Sequence, residues 1–158
     1  MFTSLESAKR HLRIDGDADD AELAEKIAAA EQIACEYLNR KVFADQAEMD
    51  TAVAAVPAAI LAAGVAYEAA DTAADLIADR VACLAEKAYA FNRYAAALRE
   101  CAAIRNGIVI SPLILAAIAL ILGDLWEQRG DTAPTALTAK IPFSSRSILD
   151  DLRVGPGL

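Results

Sequence analysis

An all-α fold, a helical bundle with a long Ala-rich central helix or helical hairpin, is what the sequence predicts, and three observations carry that expectation. Residues 57–104 are dense in alanine, with no proline after Pro57 and no glycine after Gly64, so nothing interrupts helix propagation there. Leu23, Ile27, Ala30, Ala34, Tyr37 and Leu38 recur at three- and four-residue steps and therefore line one face of a helix. Helix-start signals precede several apolar runs, and no stretch predicts a substantial sheet.

Taken in order, "TSLE" places Thr3 at an N-cap with Glu6 three residues later, a reciprocal capping box that starts a short helix from about Ser4 to Leu12. The next stretch, "HLRIDGDADD" at 11–20, crowds Asp15, Asp17, Asp19 and Asp20 behind His11, the single histidine. The spacing of Asp15, Asp17 and Asp19 suits a calcium loop, but Asp20 stands where the sharp turn needs glycine. Lys26 stands where the closing carboxylate belongs. The aspartates read instead as a helix start, with Asp19 as cap and Glu22 as its partner, favoured by the positive end of the helix dipole. That helix should end near Arg40.

Residues 41–56 lack a period and read as a loop. Beyond them, Ile77, Val81, Leu84, Ala88, Phe91, Ala95, Leu98 and Ala102 alternate steps of four and three, a heptad seam. Ile77, Val81, Leu84, Phe91 and Leu98 are its candidate oligomer-contact residues. An unbroken helix from Val65 would reach about 60 Å at 1.5 Å per residue, so the region either folds back as a hairpin or meets another subunit. Asn106-Gly107 ends it; Ser111 and Pro112 cap and start a further helix that runs to Arg129 and stops at Gly130. A polar linker, Ile141-Pro142, and "SSRSILDDL" then predict a last short helix carrying Ile148, Leu149 and Leu152, before a flexible end. The organisation expected is a helical domain over 1–140, with 41–110 an expanded helical middle, and a C-terminal docking segment and tail over 141–158.

Composition narrows the function. With 158 residues, 56% of them hydrophobic, the chain can bury roughly two-thirds of its unfolded surface as one domain. Fifteen Lys and Arg against 23 Asp and Glu, a net charge of −8, argue against a surface built to wrap nucleic-acid phosphates. Cys35, Cys83 and Cys101 are odd in number and lie among small apolar residues, as buried thiols in a reducing compartment do. The N-terminus lacks a signal-peptide pattern. The apolar run at 108–122 is shorter than the ~20 residues that span a bilayer, so a core helix and no membrane association are expected.

Catalytic constellations are sparse. Glu22 with Glu25, and Glu68 with Asp71, sit at helical spacing and could hold Mg²⁺ against a phosphate, loosely as in all-α nucleotide pyrophosphohydrolases. Acidic residues on exposed helix faces account for the same pattern, and 42 residues separate the two pairs. One histidine excludes paired Glu-x-x-His motifs, and there is no C-x-x-C pair, phosphate-binding glycine loop or nucleophile elbow. No catalytic residue, metal or cofactor is expected, and an enzyme is not.

Three segments resemble one family. "LESAKRHLRIDGDADDAELAEKIAAAEQIACEYLNR", 5–40, is similar to the N-terminal signature of gp6-like phage head-tail connector proteins, a Lys and a His-Leu-Arg-Ile-Asp before an acidic run and a long helix. "SPLILAAIALILGDLWEQRG", 111–130, resembles that family's Pro-started apolar helix ending in an aromatic-Glu-x-Arg element. "IPFSSRSILDDLRV", 141–154, looks like its C-terminal segment. Together they cover about 70 of the 158 residues, while 41–110 is longer than the connection expected between them.

The resemblance assigns motif or structural roles to Lys9, His11, Leu12, Arg13, Ile14, Asp15, Asp19, Asp20, Pro112, Trp126, Glu127, Arg129, Pro142, Leu149 and Arg153. Leu5, Leu12, Leu23, Ile27, Leu38, Leu115, Ile118 and Leu122 are expected inside the bundle. It implies a phage or prophage structural protein, made in the bacterial host cytoplasm and placed at the virion head-tail junction. Its partners would be copies of itself in a ring of about a dozen, the portal, and tail or head-completion proteins. DNA would pass through the channel without sequence-specific binding. The pyrophosphohydrolase and a helical coiled-coil interaction module are the alternatives.

Overall fold

The computed structural model describes residues 2–127 and 143–155. Within them the element order is α1 (Leu5–Leu12), α2 (Asp20–Leu38), β1 (Val42–Phe43), α3 (Gln46–Asp75), α4 (Arg80–Arg105), β2 (Ile108–Val109), α5 (Pro112–Glu127) and α6 (Phe143–Asp150). The fold is all-α, with a single two-residue ladder among the described residues. The chain divides into two compact units, one made of residues up to Ala44 and from Ile108 onward, the other Asp45–Gly107.

In the first unit, α2 packs on α5, with α1 and α6 completing the bundle. Its core joins Leu23, Ile27, Ala30, Ala34 and Leu38 of α2 to Ile114, Ala117, Ile118, Ile121 and Leu122 of α5, and Leu149 of α6 enters the same cluster. Each fully buried Leu or Ile contributes about 1.5–3 kcal/mol relative to exposure. Leu115, expected inside, is 37% exposed and borders a groove between α1 and α5. It lies one heptad before the buried Leu122, at the edge of the face centred on Ile114, Ile118 and Ile121, and lines that groove with Ala119 and Leu122.

Caps explain the helix ends. Ser4, not Thr3, caps α1, its hydroxyl accepting the Ser7 N–H at 3.2 Å. Thr3 instead donates its backbone N–H to Glu31. Asp19 caps α2 by position without a side-chain bond to the helix. Arg13 and Asn39 take the left-handed conformation that stops α1 and α2. Ser111 accepts the Ile114 N–H at 3.4 Å, as its place before Pro112 requires. β1 and β2 pair in parallel, with the Ile108 N–H donating to Lys41 at 2.9 Å and the Ile110 N–H to Phe43 at 2.8 Å. Parallel neighbours need a long crossover, and the chain of the second unit supplies it.

The second unit is the hairpin form of the two expected alternatives, α3 and α4 packed on one another. Tyr67 stacks on Tyr94 with ring centroids 5.3 Å apart, and Lys87 reaches Asp75 at 2.8 Å and Asp71 at 3.5 Å. The turn falls at 76–79 because Asp79 caps α4, accepting the Ala82 N–H at 2.8 Å. Helix α3 begins at Gln46, so most of the stretch read as a loop is helical. Asp45 accepts the Glu48 N–H at 2.8 Å, a cap that "DQAE" spells out. Pro57 lies inside α3 and leaves the Val53 carbonyl without its i+4 donor.

Candidate functional site

The motif residues gather around α1 and the start of α2. Lys9 leaves α1 towards the acidic turn and pairs with Asp17 at 2.7 Å and with Asp20. Hydrogen bonding to Asp17, then to Asp20, raises the Lys9 pKa above its ordinary value, and Lys9 in turn lowers that of Asp17. The pair therefore favours this fold above the unfolded pKa of Asp17 and loses that contribution as pH falls through the lower folded value. Asp17 is expected to titrate below 3.8 and to return to it in Lys9→Met, read by carboxyl NMR shifts. The turn is thus tied by a lysine, with Asp15 and Asp19 exposed.

His11 lies exposed in the last turn of α1, and its Nε2 lies 4.0 Å from where a Cβ on Gly123 would sit. Arg13 is the exposed left-handed cap, while Leu12 and Ile14 pack against the core. Pro112 is the exposed first residue of α5. Trp126 packs on the core and Glu127 is exposed. Arg129 and Pro142 lie outside the described residues.

The C-terminal segment is fastened to the end of α2 by contacts that sequence reading missed. The Tyr37 hydroxyl donates to the Asp150 carboxylate and accepts from Arg146 Nε at 3.0 Å. The Arg153 guanidinium covers the Tyr37 ring at 4.8 Å. Asn39 donates to the Val154 and Gly155 carbonyls at 3.3 and 3.2 Å, and Arg40 to Leu152 at 3.1 Å. The Val154 N–H donates to the Leu38 carbonyl at 3.1 Å. A polar cluster at a helix C-terminus, "YLNR", was the available signal. Tyr37→Phe is expected to cost about 0.5–1.5 kcal/mol and to hasten proteolysis after residue 143, since the lost bonds are side-chain bonds near the surface.

At the other end, the Glu31 carboxylate accepts the N–H groups of Phe2 and Thr3 at 2.6 and 2.7 Å and so holds the residues before α1 on α2. Burial, then the nearby Glu31 charge, pushes the Cys35 thiol up, which keeps it protonated and unreactive.

The proposed heptad residues lie outside the hairpin's own seam. Val81, Leu84 and Phe91 are 77%, 58% and 56% exposed, Ile77 and Leu98 half-buried. The residues that α4 buries are Ala90 and Cys101. By length and composition α3 is able to cross a membrane, and 6% of its apolar window is buried. Glu22 and Glu25 belong to the first unit and Glu68 and Asp71 to the second. Among the described residues no group of three His, Cys, Asp or Glu side chains is placed to hold a metal ion.

Residues 2–79 match the family model of the phage gp6-like head-tail connector protein. Residues 2–79 belong to the gp6-like head-tail connector family. No curated protein and no solved structure matches it. The matched range takes in α1, α2, β1 and α3 and ends at the Asp79 cap, so it includes a helix that the motif comparison set aside. The connector is accordingly a phage structural protein, and the family places it among other head and tail proteins of the virion.

Proposed function

We propose that the connector forms a closed ring beneath the portal, joining head to tail around the DNA channel. The match over residues 2–79 carries this reading. The net charge of −8 supports it, since an acidic channel wall does not hold passing DNA phosphates. Exposed apolar side chains such as Leu113 and Leu120 on α5, 57% and 37% exposed, offer surface for neighbouring subunits. In this reading Lys9, Asp20, Arg13 and Ile14 set the angle between α1 and α2. The segment from Pro142, through Leu149 and Arg153, docks on a partner protein. The protein acts without catalysis or cofactor, is made in the host cytoplasm, and works at the head-tail junction.

The test is to mix the purified protein with portal rings and to count subunits by electron microscopy. A ring of about a dozen copies seated on the portal is expected. A chain that neither binds portal nor forms rings overturns the proposal, and Mg²⁺-dependent pyrophosphate release lost on changing Glu22, Glu25, Glu68 or Asp71 would establish the enzymatic alternative instead.

A further inference from the structure

We propose that the hairpin is a self-association module in which the exposed apolar face of α4 in one copy docks against α3 of a second copy. A two-helix hairpin has one internal seam, and this one leaves Leu61 and Val65 of α3 70% and 60% exposed, beside Val81, Leu84 and Phe91 of α4. Taking about 100° per residue, Ala54, Ala58, Leu61 and Val65 share the side of α3 opposite the buried Val56 and Ala74. Val81, Leu84, Ala88, Phe91 and Ala95 share a side of α4 about 120° from the buried Ala90 and Cys101. Each copy therefore offers two unfilled apolar faces, one on each helix.

Charge decides which face meets which. Helix α3 carries Glu48, Asp50, Glu68, Asp71 and Asp75 with no Lys or Arg, a net −5. Helix α4 carries Arg80, Lys87, Arg93, Arg99 and Arg105 against Glu86 and Glu100, a net +3. Lys87 is engaged inside the hairpin by Asp71 and Asp75, whereas Arg99 and Arg105 are exposed on α4. Contacts of α3 with α3, or of α4 with α4, set like charges together, so α3 against α4 is the favoured pairing. Such a contact is heterologous and leaves one free face at each end for the next copy, so it builds a ring where the rotation between copies closes and a filament where it does not. A lipid bilayer fits less well: α3 has the length to enter one, but α4 would carry its seven charged residues in with it. The contact deepens the connector reading, and rests on it only for the ring's seat on the portal.

The experiment uses the full chain and two double variants, Arg99→Glu with Arg105→Glu on α4, and Asp50→Lys with Glu68→Lys on α3. All four positions are exposed, and circular dichroism checks that helicity is kept. Light scattering over a wide concentration range should show wild-type association beyond a dimer, weakened at least tenfold at low salt in either variant alone. Mixing the two variants should restore it, because the two glutamates placed on α4 of one then meet the two lysines placed on α3 of the other. A wild type that stays monomeric, association that neither variant weakens, or flotation of the wild type with phosphatidylcholine vesicles overturns the proposal. Portal binding separates the two readings: charge-insensitive binding removes the hairpin contact and keeps the connector, while charge-sensitive association without portal binding does the reverse.

Discussion

Leu149→Ala is expected to lower the unfolding free energy by about 2–5 kcal/mol, the range for truncating a fully buried leucine. Leu149 is 0% exposed and sits in the cluster formed by α2 and α5, so α6 contributes to the core as well as lying over it. Thermal unfolding checks the value, each kcal/mol moving Tm by about 2–4 °C at this size. A change under about 1 kcal/mol would show that α6 is not seated in solution as it is here. A second readout bears on assembly. If the C-terminal segment docks on a partner, the variant should also bind portal rings more weakly, because an α6 that has lost its anchor presents Arg146 and Arg153 in no fixed place.

Ala117→Leu is expected to cost about 1–3 kcal/mol through the opposite fault, too much volume. The closest pairing in the first unit is between α2 and α5, and both present small side chains there: Ala30 and Ala34 on one, Ala117 on the other, all 0% exposed. Three added carbons leave the helices to separate or the neighbours Ile118 and Leu122 to leave their rotamers. Urea unfolding should show a lower midpoint with an unchanged slope. A neutral result would mean that the alanines face slack space rather than one another's helices.

The helical class, the buried face of α2, and the Ser111-Pro112 start of α5 were legible because each rests on local chemistry: a period, a cap, a fixed φ. Two features were not. The hairpin's own seam, which buries Ala90 and Cys101, is not the stripe that the heptad period picks out; Val81, Leu84 and Phe91, read as oligomer contacts, stay exposed. In an Ala-rich helix several stripes share the seven-residue period, and alanine is nearly as content outside as inside, so periodicity alone does not choose. The small residues turn inward because they let two backbones approach. The Tyr37 cluster was hidden for a different reason. Its bonds join residues 109 and 113 positions apart, and no local pattern records such a pairing.

The short parallel ladder also bears on how this chain tolerates change in length. Val42 stands opposite Ile108, so the backbone leaves the first unit at Ala44 and re-enters it at Ile108 from positions pinned side by side. A parallel return of this kind needs a crossover of about a dozen residues, so a flexible linker of that length would stand in for the hairpin. Everything between is a cassette. Excising it, lengthening it by whole heptads or replacing it with a reporter domain should leave the bundle's folding intact. That makes the hairpin the place where such a protein can be re-cut to a new neighbour without rebuilding its core.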